Sequence, residues 1–287
     1  MTFPFSIAVA QSVISPDVRE NGRRMRDMMS EAKTAGCRLV QFPEGGLSGY
    51  VKSQITDWAR VDWSALREEL DAVAAHAARL ELWTVLGCNH RLTPPNRPHN
   101  SLYVISDKGT LVGRYDKRLC SHTELSNWYA PGVESFVFDV DGVRFGLALC
   151  IEVQFPELFL DYAKQGVDCM LFSAYSDDPM YGILARAHAA TNNFWLSLSI
   201  PALPGNRLSS GLIGPDGHFL AKADRNNGDA LIVGRIDRSN PQFDIALNKA
   251  RPWRAAARSG EIYAERRVKD PRSDDRISFF QVHPAEI

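Results

Sequence analysis

The stretch "RFGLALCIEVQFPEL", residues 144–158, is apolar from Phe145 through Leu149, reaches a thiol at Cys150 and turns polar at Glu152. A short apolar run bounded by turn residues reads as a buried strand. Pro156 then opens a helix at an early position, where its missing N–H costs nothing. A cysteine at such a junction is by default a small buried hydrophobe. It acquires chemistry only if a base and a cation meet it.

Working outward, "SFVFDV" (135–140) and "VRFGLAL" (143–149) read as a hairpin turning at Asp141-Gly142. Downstream, a helix near 156–165, the strand "CMLFSA" (169–174), a helix near 179–192 and the strand "FWLSLSI" (194–200) follow one another. "GLIG" (211–214), "HFLAKA" (218–223) and "ALIVGRI" (230–236) complete the strands on this side. Upstream, a strand over 5–11 precedes a helix opened by Pro16 and stopped at Gly36, then "RLVQF" (38–42). Residues 63–80 predict a helix with Leu66, Leu70, Val73 and Ala77 on one face. "LWTVLGC" (82–88), "SLYVIS" (101–106) and "TLVGRY" (110–115) follow as strands, the last two joined by Asp107-Lys108-Gly109. Alternation mixed with hairpins predicts one α/β domain over residues 1–287 with more than one sheet. The Arg-rich segment 241–287 reads as an irregular tail that wraps or forms an interface.

With 287 residues, 45% hydrophobic and 23% charged, the chain has the composition of a soluble globular protein. A net charge of −1 gives no electrostatic reason to expect a nucleic acid or an anionic membrane as partner. No run approaches the roughly 18 apolar residues of a membrane span, and "MTFPFSIAVAQ" lacks the basic start of a signal peptide. The cysteines at 37, 88, 120, 150 and 169 form no CxxC and read as reduced thiols of a cytoplasmic protein. The histidines have no metal-ligand spacing, and no nucleophile elbow, P-loop or dinucleotide fingerprint occurs. The expectation is therefore no metal and no cofactor.

In open α/β folds ligands bind beyond the carboxyl ends of strands. Three such ends carry reactive groups: "RLVQF" ends in Pro43-Glu44, "TLVGRY" runs into Asp116-Lys117, and "VRFGLAL" ends in Cys150. Their chemistries complete one another. A thiol needs a base to become a nucleophile, a carboxylate can take that proton and return it to a leaving amine, and an ammonium can stabilise the resulting oxyanion. Trp128, Tyr129 and Tyr175 lie near strand ends and are candidate pocket aromatics, as is Tyr50.

The blocks "LVQFPEGGLSGY", "GRYDKRL" and "FGLALCIEVQFPEL" resemble the three signature blocks of the nitrilase superfamily of carbon–nitrogen hydrolases. The likeness continues through "DCMLFSAYS", "LARAHAATNNFWLSLS" and "SSGLIGPDG", and so spans residues 5 to 237 in order. It implies a four-layer α-β-β-α sandwich, a Glu44–Lys117–Cys150 triad, and a second glutamate at Glu124 in "HTELSNWYAPG". It also implies at least a homodimer, with the helices after Cys150 and the C-terminal tail near the interface. The Ile151 N–H, at the strand-to-helix turn, can join Lys117 in an oxyanion hole. Two departures stand out: Arg118-Leu119 follows the lysine where a histidine is frequent, and Thr191 stands where a glutamate is common, with Arg186 and Asn192 retained.

The resulting expectation is a cysteine-dependent amidase that releases ammonia or an amine through an acyl-thioester on Cys150. Nitrile hydrolysis, N-carbamoyl-amide hydrolysis, acyl transfer and a catalytically idle scaffold are the alternatives. Val153 and Gln154, with Glu152, Asp177 and Asp178 close in sequence, predict a pocket that disfavours anionic substrates and accepts neutral or cationic ones.

Overall fold

The computed structural model describes residues 4–205, 207–224, 228–274 and 276–277. Two six-stranded mixed sheets pack face to face. The first contains β1 (Phe5–Gln11), β2 (Leu39–Gln41), β3 (Trp83–His90), β4 (His99–Ile105), β5 (Leu111–Asp116) and β12 (Ala230–Ile236), in the order β12-β1-β2-β3-β4-β5. The second contains β6 (Val137–Val140), β7 (Val143–Leu149), β8 (Cys169–Ser173), β9 (Trp195–Ser199), β10 (Gly211–Ile213) and β11 (Phe219–Lys222), in the order β11-β10-β9-β8-β7-β6. Helices α1 (Val18–Thr34) and α2 (Trp63–Leu80) cover the outer face of the first sheet. Helices α4 (Pro156–Lys164) and α5 (Pro179–Asn192) cover the second. The layers are α-β-β-α, as expected.

Both faces of β7 are covered beyond Arg144, which is why the strand is apolar from Phe145 to Leu149. Phe145, Leu147 and Leu149 face the core between the sheets, with Val104, Leu171 and Trp195. Ala148 faces the helix layer with Phe159, Tyr162 and Ala185. Gly146 lies where a Cβ would sit 2.7 Å from the Tyr162 ring, so its lack of a side chain lets α4 pack directly on the strand. β7 runs parallel to β8 with Leu149 beside Ser173, and Ser173 Oγ donates across the sheets to Phe42 O at 2.8 Å, so the carboxyl ends of β2 and β7 lie at the same end of the sandwich.

Two sequence readings need correcting. Residues 122–127, unassigned from the sequence, form the short helix α3 (His122–Asn127), opened by a reciprocal capping box between Ser121 and Glu124. The segment after Pro241 is not irregular: a 3-10 turn (Pro241–Phe243), a π-helical turn (Ile245–Ala250) and α6 (Arg251–Ser259), α7 (Glu261–Ala264) and α8 (Pro271–Asp274) follow in succession. Three of its arginines have partners on the body. Arg251 donates to Val167 O at 2.9 Å, Arg254 to Asn193 Oδ1 at 2.7 Å, and Arg258 to Thr191 O at 3.0 Å. The last two engage the carboxyl end of α5, whose final carbonyls have no intrahelical donor. Residues 275 and 278–287 of the expected tail lie outside the described residues. Among the described residues no helix is long and apolar enough to cross a membrane.

Candidate active site

Cys150 is the first residue past β7, and its φ of +47° places a non-glycine residue in the left-handed region. Such a conformation costs on the order of 1–3 kcal/mol and persists only where its surroundings over-determine it. Glu152 supplies the constraint. It is fully buried; its Oε2 accepts from Leu149 N at 2.7 Å, while Oε1 accepts from Tyr115 Oη at 2.7 Å, Arg118 N at 2.7 Å and Leu119 N at 3.1 Å. One carboxylate thus ties the 3-10 turn Cys150–Gln154 to the segment that carries Lys117. This corrects the sequence reading of Glu152 as a pocket acid, because every donor it meets belongs to the fold. It also explains how Arg118-Leu119 replaces the more usual residues there: their backbone N–H groups are what the site uses.

Glu44, Lys117 and Glu124 meet beside Cys150. Lys117 is 1% exposed, and its Nζ donates to Glu44 Oε1 at 3.1 Å and to Glu124 Oε1 at 2.7 Å. Burial works against this ammonium, but the carboxylates of Glu44 and Glu124 outweigh it and hold the Lys117 pKa well above the ordinary value. Glu44 also accepts from Asn100 Nδ2 at 2.7 Å and from Tyr175 N at 2.7 Å. Gly87 makes room for this turn, since a Cβ there would lie 2.3 Å from Pro43 O. Burial pushes Glu124 up, but Lys117 and the Ser121 N–H, which donates to Oε2 at 2.7 Å, bring it below its usual value.

The thiol itself is held neutral. Burial, then the charge of Glu44, push the Cys150 pKa up, while Lys117 opposes them. Burial also raises Cys37 to about 11 and Cys120 to about 12. A thiol in this state becomes a nucleophile only if a base removes its proton as the bond forms.

The aromatic candidates separate. Tyr50 and Tyr175 stack with centroids 4.4 Å apart and planes 10° apart, and Tyr50 Oη donates to Glu124 Oε1 at 3.2 Å. Tyr175 Oη reaches Ser53 Oγ at 2.8 Å and accepts from Gln54 Nε2 at 3.1 Å, which closes the 49–55 loop over the site. Tyr129 is buried behind Glu124, its hydroxyl donating to Asn89 Oδ1 at 2.9 Å. Trp128 packs edge-on against Trp58, so it supports the wall from outside. Ile151 follows Cys150 in the turn and is half-buried. Asp177 lies 3.8 Å from Arg207, and Asp178 accepts from Met180 N at 2.9 Å as the N-cap of α5. The acids expected to repel anions are thus turned inward, ion-paired or used as a cap, and the expectation of cationic substrates loses its basis. Thr191 bonds back to Ala187 O at 2.7 Å within α5, so the departure there is local. Asn100 and Tyr181, both at the site, carry no distinguishing pattern in the sequence: one is an Asn early in a strand, the other a Tyr in a helix's first turn.

The carbon–nitrogen hydrolase family model matches residues 6–243. An omega-amidase of Homo sapiens is 24% identical over 81% of this chain and 88% of its own length. A Mycobacterium tuberculosis hydrolase is 28% identical over 70% of this chain and 73% of its own. Among solved structures, the amidase of Nesterenkonia sp. AN1 in complex with butyramide superposes with a TM-score of 0.73 at 23% identity, covering 81% of this chain and 90% of that one. Another structure of that amidase, with the acetamide moiety of fluoroacetamide added covalently at its active-site cysteine, gives a TM-score of 0.74 at 22% identity, over 87% and 96% of the two chains. With the family match running through both sheets and through Glu44, Lys117 and Cys150, the chain belongs to the carbon–nitrogen hydrolases.

Proposed function

We propose that the protein hydrolyses a small, neutral, non-peptide amide to a carboxylate and ammonia or an amine through an acyl-thioester on Cys150. Glu44 takes the thiol proton as Sγ adds to the amide carbon. Lys117 and the Ile151 N–H hold the oxyanion, and the tetrahedral adduct collapses as Glu44 returns the proton to the leaving nitrogen. Water, deprotonated by Glu44, then adds to the thioester carbon; the C–S bond breaks, the acid leaves, and Glu44 returns its proton to the Cys150 sulfur. Glu124 fixes Lys117 and orients the leaving amine or the water. The observation that carries this reading is the buried Glu44–Lys117–Glu124 cluster beside a cysteine held at φ +47°.

Substrate size and charge follow from the same place. Cys150 is only 6% exposed, and the aromatic faces of Tyr50 and Tyr175 stand nearby. A carboxylate entering there would be desolvated, with Arg207 already facing Asp177. The relatives named above as omega-amidase and amidase support the amide bond as target. The test is ammonia release from a panel of amides, nitriles and N-carbamoyl compounds. Small neutral amides should lead; a nitrile in front, or carbon dioxide from a carbamoyl substrate, would replace this reading. We further propose a cytoplasmic homodimer without cofactor. Ile183 on α5 at 65% exposure and Trp253 on α6 at 58% are apolar surface that a second copy would cover.

A further inference from the structure

Three tyrosines approach the site, and their hydroxyls do different things. That of Tyr50 is engaged by Glu124 and that of Tyr175 by Ser53 and Gln54. The third, Tyr181, lies in the first turn of α5, two residues after Pro179 at the helix start. It is 9% exposed, and with the thiol protonated its Oη accepts from Cys150 Sγ at 3.9 Å. The cap fixes it: Asp178 closes the helix end, and Tyr181 N donates to Asp178 O at 3.1 Å.

We infer that the Tyr181 hydroxyl is a catalytic hydrogen-bond donor to the Cys150 sulfur, stabilising the thiolate formed when Glu44 takes its proton and again when the thioester breaks. The inference rests on the amidase reading and adds a residue to it. In the resting state the sulfur carries its own hydrogen and a long contact suffices. Once Glu44 holds the proton, the sulfur is an anion almost shut off from solvent. Lys117 is the cation beside it, and Glu124 shares that cation at 2.7 Å. A phenol can then turn its O–H toward the sulfur, and such contacts shorten in the reacting complex. No proton changes hands at Tyr181, since burial and the neighbouring sulfur keep its hydroxyl protonated. The aromatic ring also places α5 as the wall facing Sγ, which links the helix cap to the nucleophile.

The test is Tyr181→Phe, which keeps the ring and removes the donor. Iodoacetamide labelling of Cys150, followed by mass spectrometry across pH, should slow about tenfold near neutral pH, the scale of one hydrogen bond to a charged group. The labelling profile should move to higher pH by about one unit, and kcat/KM for a small amide should fall by a similar factor at unchanged thermal stability. Tyr181→Gln, which restores an N–H donor, should recover part of the labelling rate, and it serves in place of the Phe variant should that fail to fold. A Phe variant with the wild-type profile and kcat/KM overturns the inference, as does a loss confined to stability. If wild-type enzyme is labelled at Cys150 but hydrolyses no amide, the proposed function fails while the labelling comparison still decides the role of Tyr181.

Discussion

Replacing Glu124 by glutamine removes one charge and adds one hydrogen-bond donor, and the structure shows why neither orientation of the new amide fits. Both oxygens of Glu124 accept: Oε1 from Lys117 Nζ and Tyr50 Oη, Oε2 from Ser121 N. With its carbonyl toward Lys117, the introduced amide points an NH2 group at the Ser121 N–H. With its carbonyl toward Ser121, it points that group at a buried ammonium. Either way a buried donor loses its acceptor, at a cost of about 1–3 kcal/mol. Urea denaturation at neutral pH should therefore show Glu124→Gln less stable by about 2 kcal/mol. The difference should shrink in acid. Glu124 titrates below its usual 4.5 in the folded chain, so its contribution is complete above that value and is lost as pH falls through the folded pKa. Glu44 keeps its own contacts to Lys117, Asn100 and the Tyr175 N–H, so Cys150 should still be acylated. Intact-mass spectrometry with a slow amide should then trap the acyl adduct in Glu124→Gln and none in Glu44→Gln. A stability change under about 0.5 kcal/mol, the range of an ordinary surface substitution, would refute the reasoning, as would equal loss of acylation in both variants.

Cys150→Ala should abolish hydrolysis and leave the circular dichroism spectrum unchanged, because no neighbour supplies a covalent path. Iodoacetamide should label Cys150 ahead of Cys37 and Cys120, and iodoacetate should do so at least about tenfold more slowly once scaled to its reactivity with free cysteine, a penalty of about 1.4 kcal/mol for bringing in a carboxylate; equal scaled rates would remove the argument for neutral substrates. Glu152→Gln should cost about 1–3 kcal/mol, since one of its four donors must lose an acceptor, and should lower kcat more than it raises KM; unchanged stability in a denaturant melt would show that the turn does not depend on this carboxylate. Light scattering at micromolar concentration should report a dimer, and Trp253→Ser should shift it toward monomer; a monomeric wild type would discard the proposed interface.

What the sequence discloses and what it withholds divide along a physical line. Apolar periodicity is local, so β7, α2, β12 and the hairpin at Asp141-Gly142 can be read from the string, and ordered strands place Glu44, Lys117 and Cys150 at neighbouring ends. The direction in which a polar side chain points is not local. Glu152, two residues from the thiol, reads as pocket charge because nothing in "CIEVQF" shows that Leu149, Arg118 and Leu119 each turn an N–H toward it. Asp177 and Asp178 read as free acids for the same reason, the partner of one being Arg207 in a distant loop and the role of the other being set by a helix start. In the tail, Arg251, Arg254 and Arg258 recur at helical spacing opposite Trp253 and the alanines of α6, a legible face that the sequence reading passed over; only its anchors, the Val167 and Thr191 carbonyls among them, lie outside the string. The reactive groups are therefore visible from their place at strand ends. The groups that hold them, Asn100 on Glu44 and Glu152 across the Cys150 turn, act through contacts that only the packed chain creates, and in the proposed mechanism these contacts keep a base and an ammonium beside a thiol whose pKa is raised. A cysteine buried this deeply would be inert without them. The scaffold's contribution to the chemistry is thus the fixed geometry between an acid, an ammonium and a thiol, each of which would be unexceptional alone.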